Sequence, residues 1–100
     1  MNQLQLAASI AEREVIRYTP AGIPIVSARL WHCSEQLEAG IPRQVEFEVA
    51  AIAAGEISGK FSQAVLGEVL RFTGFLARKS RNSKSLVFHI TDFEALTPDH

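Results

Sequence analysis

Between Arg71 and Lys84 the chain places Arg71, Arg78, Lys79, Arg81 and Lys84 with no acidic residue among them, so half of its 10 basic side chains fall in one short window. The formal net charge of the whole chain is only -1. A cationic segment on a near-neutral body is chemistry for a polyanion. Lysine supplies a point charge, and arginine a planar fork that grips phosphate and stacks on bases. The densest part, Arg78-Lys79-Ser80-Arg81-Asn82-Ser83-Lys84, is too polar to be core and lies between two apolar runs, which predicts a solvated loop joining two strands. An ordinary solvent-facing hairpin tip is the plainer reading of such a run, and the lack of acids across the window favours the binding one.

Other residue types are less suggestive. Trp31 is expected on the outer face of a strand beside Arg29, and Phe75 on the outer face of another. Exposed aromatics beside cations suit the stacking of bases, but Trp, Phe and Arg are also enriched in subunit interfaces, and for Trp31 and Phe75 an interface or a mixed role is the favoured reading. Glu46 and Glu48 lie two apart on one strand face; as an acid/base pair they would be catalytic, and as a solvated sheet face they need no function. His32 and Cys33 are adjacent on a strand and so point to opposite sides, which removes a cysteine/histidine pair. His89 stands alone. With no glycine-rich phosphate loop, zinc-ligand spacing or HExxH pattern, neither an enzyme nor a cofactor, metal or small-molecule substrate is expected.

The bounds from composition agree. One hundred residues, 47% apolar and 21% charged, make a single domain over 1–100 with a modest core. The lone Cys33 allows no internal disulfide, and the N-terminal MNQLQLAAS lacks the regions of a signal peptide, so a cytoplasmic protein is expected. No apolar run approaches the roughly 20 residues that span a bilayer. Nonspecific coating of duplex DNA relies on many phosphate contacts, which a near-neutral chain does not offer. Any nucleic-acid site must therefore be local.

The elements that must position these residues follow from periodicity. Leu4, Leu6, Ala8 and Ile10 alternate as a first strand, which Val15, Ile16 and Tyr18 extend until Thr19-Pro20-Ala21-Gly22 forms a type II or related turn. Ile25 to Cys33 is a second strand with Val26, Ala28 and Leu30 on one face and Ser27, Arg29, Trp31 and Cys33 on the other. Glu35 to Arg43 reads as a long hairpin loop, and Gln44 to Ala53 as a third strand with Val45, Phe47 and Val49 inward. Ile57, Phe61 and Leu66 suggest a short helix stopped by Gly67. Val69 to Ala77 is a fourth strand with Leu70, Phe72 and Leu76 inward and Gly74 at a bend. Leu86 to Leu96 is a fifth strand, whose register Val87-Phe88 and Asp92-Phe93 leave open. Five strands with a helix between the third and fourth is the layout of an all-β OB-fold, a five-stranded Greek-key barrel that binds single strands across its second and third strands and its longer loops. Another small barrel or sandwich is the alternative.

Arg17-Tyr18-Thr19-Pro20-Ala21-Gly22-Ile23-Pro24 resembles the first hairpin of bacterial single-stranded-DNA-binding proteins. Together with Glu38-Ala39-Gly40, Arg43-Gln44, Thr73-Gly74-Phe75-Leu76 and the end of the chain after the fifth strand without an acidic tail, the sequence most resembles the primosomal replication protein N (PriB) family over nearly its whole length. That resemblance implies an OB-fold homodimer that binds single-stranded DNA without sequence preference and acts in replication restart with the PriA helicase and other primosome proteins. It maps the family's basic position before the hairpin turn onto Arg17, its arginine at the start of the third strand onto Arg43, and its basic loop onto Arg78 to Lys84. The sequence departs from the family pattern at three places. Glu46 stands at a tryptophan position, Cys33 at an arginine position, and Glu12 at a basic one, so weaker or differently distributed DNA binding is expected. In the expected mechanism Arg78, Lys79, Arg81 and Lys84 contact phosphates, while Arg17, Arg29 and Arg43 line the surface of the second and third strands. Trp31 or Phe88 is the stacking ring, and the basic loops of two barrels share one strand. A module that mainly bridges replication proteins, its acids facing a basic partner, is the alternative.

Overall fold

The alternating Leu4, Leu6, Ala8 and Ile10 form the inward face of β1 (Leu4–Arg13). The computed structural model describes residues 1–96, in which β1 is followed by β2 (Arg17–Tyr18), β3 (Pro24–Glu38), β4 (Ile41–Ala54), α1 (Ile57–Ser62), β5 (Val69–Arg78) and β6 (Leu86–Ala95). β1 serves two neighbours, pairing with β5 over Leu4 to Ser9 and with β3 over Ser9 to Arg13. A bulge between Ile10 and Glu12 gives it the bend that this double duty requires. The sheet runs β1-β5-β6-β4-β3-β2, and the β1–β3 pairing closes its five long strands into a barrel. β4 and β6 are the parallel pair, through Ala51↔Phe88 to Ala53↔Ile90. This is the OB-fold expected from the strand order.

α1 plugs one end of the barrel. Phe61 is fully buried and meets Phe72 and Phe93 edge-on, with ring centroids 6.2 and 5.9 Å away. The helix is shorter than its apolar spacing suggested: it ends at Ser62, and Leu66, beyond it, is exposed.

Several local expectations change for identifiable reasons. Val15 and Ile16 do not extend β1. The guanidinium of Arg13 turns to the carbonyls of Phe61 and Ala64, the amide of Glu14 donates to Ser27, and Val15 is left exposed. The turn at Thr19 is closed by the Gly22 amide donating to the Thr19 carbonyl at 2.8 Å, with Gly22 at φ 85 and Ala21 outside the positive-φ region. Its left-handed residue is thus the fourth and not the third, which excludes type II.

The long loop expected over Glu35 to Arg43 is absent. β3 and β4 continue out of the barrel as a two-stranded arm, Leu37 opposite Pro42 and Glu38 opposite Ile41, closed by Ala39 and Gly40 at φ 54 and 76. Two left-handed residues in a two-residue connection make a hairpin turn whose twist matches the strands. The closing pair of such a hairpin is hydrogen-bonded and the next is not, so Pro42 sits where no donor is needed. Val45, Phe47 and Val49 do share the face of Leu30, and Val49 packs against the core, but farther out on the arm little covers Val45 and Phe47. Phe47 stays 39% exposed, with His32 against its ring at 4.9 Å.

β6 resolves the register its sequence left open. Gly74 pairs with Ile90 while Thr73 pairs with Asp92, so Thr91 is a bulged extra residue. The inward set is therefore Phe88, Ile90 and, one step out of phase, Phe93. This corrects the expectation for Phe88: opposite Ala51 of β4 and Leu76 of β5 it points into the core, is fully buried, and presents no ring to a ligand. Gly74 is needed for approach more than for bending, since a Cβ there would lie 1.9 Å from the carbonyl oxygen of His89.

Candidate nucleic-acid interface

The outer face of β3 and β4 is set by the same alternation that builds the core. Because Val26, Ala28 and Leu30 point inward, Ser27, Arg29 and Trp31 point out, opposite Ile52, Ala50 and Glu48 of β4. Across the barrel half of this face runs an open groove of about 840 Å³. Its floor is Ala50 and Ile52. One wall carries Glu14, Arg17, Ser27, Arg29 and Glu48, and the other Lys79, Ser85, Leu86, Val87 and His89.

The second wall begins in the basic loop between β5 and β6. This loop is solvated, as its composition predicted, but it is not shapeless. The Lys79 amide donates to the Ser85 carbonyl, the Ser83 amide to the Ser80 carbonyl, and the Ser85 amide to the Ser83 hydroxyl. Arg81 and Asn82 form the tip of the resulting turn, and Arg78, Lys79, Arg81 and Lys84 are all exposed.

Ion pairing divides the cations into two groups. Arg29 donates to Glu48 at 2.5 Å, Arg43 pairs with Glu38, Lys60 with Asp92 at 4.0 Å, and Arg71 with Glu94 at 2.9 Å. Arg13 is consumed by the carbonyls of Phe61 and Ala64. Among the described residues, Arg17, Arg78, Lys79, Arg81 and Lys84 have no acidic partner. Apart from Arg17, which donates to the Ser27 hydroxyl at 3.3 Å, these free cations belong to the one loop and to the end of β5 that leads into it. From Val69 to Thr91 the chain has no acid at all. The positive potential that survives pairing is thus gathered at the groove and beside it.

Of the expected contacts, the structure brings Arg17, Arg29 and Lys79 into one groove, with the rest of the basic loop at its edge. It does not bring Arg43 there. Register puts Arg43 on the arm, on the face of Leu30 and Val49 and not that of Arg29, with Glu38 occupying its guanidinium. Trp31 lies on the outer face, 41% exposed, next to the groove and outside its walls. Arg29 is held by Glu48. That hydrogen bond, and then the charge of Glu48, keep its guanidinium above an already high ordinary value, with Glu12 adding a smaller push in the same direction.

The departures from the family pattern converge on the same face. Cys33 and Glu46 are direct cross-strand partners, the thiol donating to the carboxylate at 3.8 Å, and Glu12 pairs in register with Arg29. The outer face therefore changes along its length: toward the arm it carries Glu35 and Glu46 and no cation, while the barrel half sets Arg17, Arg29 and Lys79 among Glu12, Glu14 and Glu48. His32 is structural. Its Nδ1 donates to the Ala7 carbonyl at 2.6 Å, and its Nε2 lies 2.7 Å from the Ser34 hydroxyl. Among the described residues no three His, Cys, Asp or Glu side chains group as metal ligands.

Sequence reading missed Glu14, Ala50, Ile52 and His89 as groove residues. The places of Ala50 and Ile52 were implicit in the alternation that turned Val49 inward. That of His89 was hidden by the unresolved register of β6.

Residues 2–92 match the model of a family described as another single-strand binding protein family. The replication restart protein PriB of Nitrosomonas europaea is 44% identical over 91 residues, 91% of this chain and 84% of that protein. The structure of PriB from Ralstonia solanacearum superposes with a TM-score of 0.89 at 46% identity, covering 97% of this chain and 99% of that one. The single-stranded DNA binding protein of Thermus aquaticus shares the fold, with a TM-score of 0.72 at 23% identity over 97% of this chain and 50% of its own.

Proposed function

The chain belongs to the PriB family of replication restart proteins, and from that premise we propose that it is a non-enzymatic single-stranded-DNA-binding protein of the primosome, working in the cytoplasm with the PriA helicase and other primosome proteins. The observation that carries this reading is the loop of unpaired cations beside an uncharged groove floor. A single strand offers phosphates at one edge and flat bases at the other, which are the two chemistries that this wall and floor accept. A duplex keeps its bases paired and stacked inside the helix, so it does not present both at once.

In this reading Lys79 and its loop neighbours Arg78, Arg81 and Lys84 take the backbone, and Arg17 holds it from the opposite wall. One loop gives few contacts, and a second copy doubles them. The proposed homodimer is supported by β1, whose Leu4 to Ala8 stretch pairs with β5 alone and has no strand on its other edge among the described residues. Exposed, apolar-flanked edges of this kind pair with further strands.

The test is a salt titration of oligonucleotide binding by the wild type and by Arg78→Ala/Lys79→Ala/Arg81→Ala/Lys84→Ala. If all four contact phosphate, the log–log salt slope falls by about 3, from about 0.7 per contact on a single strand. An unchanged affinity and slope removes the loop from the mechanism.

A second reading, a bridging module with little DNA affinity, is favoured by Glu48 capping Arg29 and by Glu46 on the same face. Fluorescence anisotropy of a labelled single strand against a duplex of equal length separates the two. Low-salt affinity no tighter than tens of micromolar for either makes the bridging role the main one.

A further inference from the structure

One aromatic ring in the groove is accounted for neither by charge nor by the expected stacking positions. On β6, His89 stands opposite Ile52 of β4 on one side and Phe75 of β5 on the other. Its imidazole lies flat on the Phe75 ring, with centroids 4.9 Å apart and planes 7° from parallel. The same residue lines the groove beside Lys79, Leu86 and Val87. Phe75 therefore occupies one face of the imidazole and leaves the side toward Ala50 and Ile52 to the groove. No protein group hydrogen-bonds either ring nitrogen among the described residues, and no buried side-chain nitrogen is left without a partner, so both are reachable from solvent.

We propose that His89, backed by Phe75, is a nucleobase-stacking position of this groove. The proposal rests on the single-strand reading above and adds to it where the bases go. Phe75 already fixes the ring plane, so little rotamer freedom is lost when a base stacks on the free face. The floor at Ala50 and Ile52 is apolar, which suits a flat ring and offers nothing to a phosphate. The charged groups of the groove, Glu14, Arg17, Arg29, Glu48 and Lys79, leave the phosphates to the walls. Every base has a stackable face, so the contact adds affinity without choosing a sequence. Phe88, next in the chain, points into the core and cannot share this role.

The experiment measures anisotropy of a labelled oligothymidylate and of an abasic strand of the same length, at one salt concentration. Wild type should prefer the base-bearing strand. His89→Ala should weaken oligothymidylate by about 5- to 150-fold, the range for one base stacked on one ring, and leave the abasic strand nearly unchanged. His89→Phe should restore most of the loss. Equal wild-type affinity for the two strands overturns the proposal without any variant, whatever His89→Ala does to folding. So does His89→Ala that matches wild type on oligothymidylate, or that weakens both strands equally. If the quadruple loop variant weakens both strands while His89→Ala weakens neither, the stacking proposal fails and the single-strand reading stands. If the wild type binds neither strand, both fail.

Discussion

Glu48 decides how much of the groove's positive charge is available. Its carboxylate accepts from Arg29 at the groove wall, so a phosphate reaching Arg29 must displace it. The pair is half exposed and contributes little to stability, as surface pairs do, while its effect on an anionic ligand is direct. Glu48→Gln removes the carboxylate charge and keeps the shape. We predict tighter binding of single strands and a log–log salt slope steeper by about 0.7 as Arg29 becomes a phosphate contact, read by the same anisotropy titration. An affinity equal to that of wild type would mean that Arg29 is not on the strand's path.

At the scale of elements, the arm formed by β3 and β4 shows why local polarity misleads. Glu35 to Arg43 looks like a loop because no face of it is buried, yet it is paired on both sides of its two-residue turn. Its weak point is Ala39, an L-residue at φ 54 ahead of Gly40. A left-handed alanine costs roughly 1–2 kcal/mol, and asparagine tolerates that region better. Ala39→Asn should therefore raise the midpoint of thermal unfolding by about 2–6 °C, given the several degrees per kcal/mol of a domain this size. A calorimetric scan that shows no increase would contradict the strain assigned to this turn. The loop between β5 and β6 is the opposite case. Its polarity and charge were legible at once, and its internal hydrogen bonds give those charges a fixed platform.

For the whole molecule, the open edge of β1 makes a specific demand. The Ala7 carbonyl faces away from β5, since it accepts from His32, and at period two the Gln5 amide faces the same way. Gln5→Pro would remove a donor from the free edge and leave the ladder with β5 intact, where proline is tolerated. If the proposed homodimer forms along this edge, sedimentation should give a folded monomer for Gln5→Pro and a dimer for the wild type. An unchanged dimer would place the contact elsewhere.

The sequence by itself determined the inward faces of β1, β3 and the first part of β5, the existence of α1 and the charge of the loop. Each of these is a short-range property, an alternation or a composition that survives whatever the rest of the chain does. Strand order and the short helix were enough for the OB-fold. The tertiary structure alone decided which cations remain free, because the partners Arg29 and Glu48, or Arg71 and Glu94, meet only once cross-strand register is set. Register in turn depends on single bulged residues near Ile10 and at Thr91, and shifting a strand by one residue turns every side chain to the other face. That is why Phe88 belongs to the core while its neighbour His89, stacked on Phe75, faces the groove.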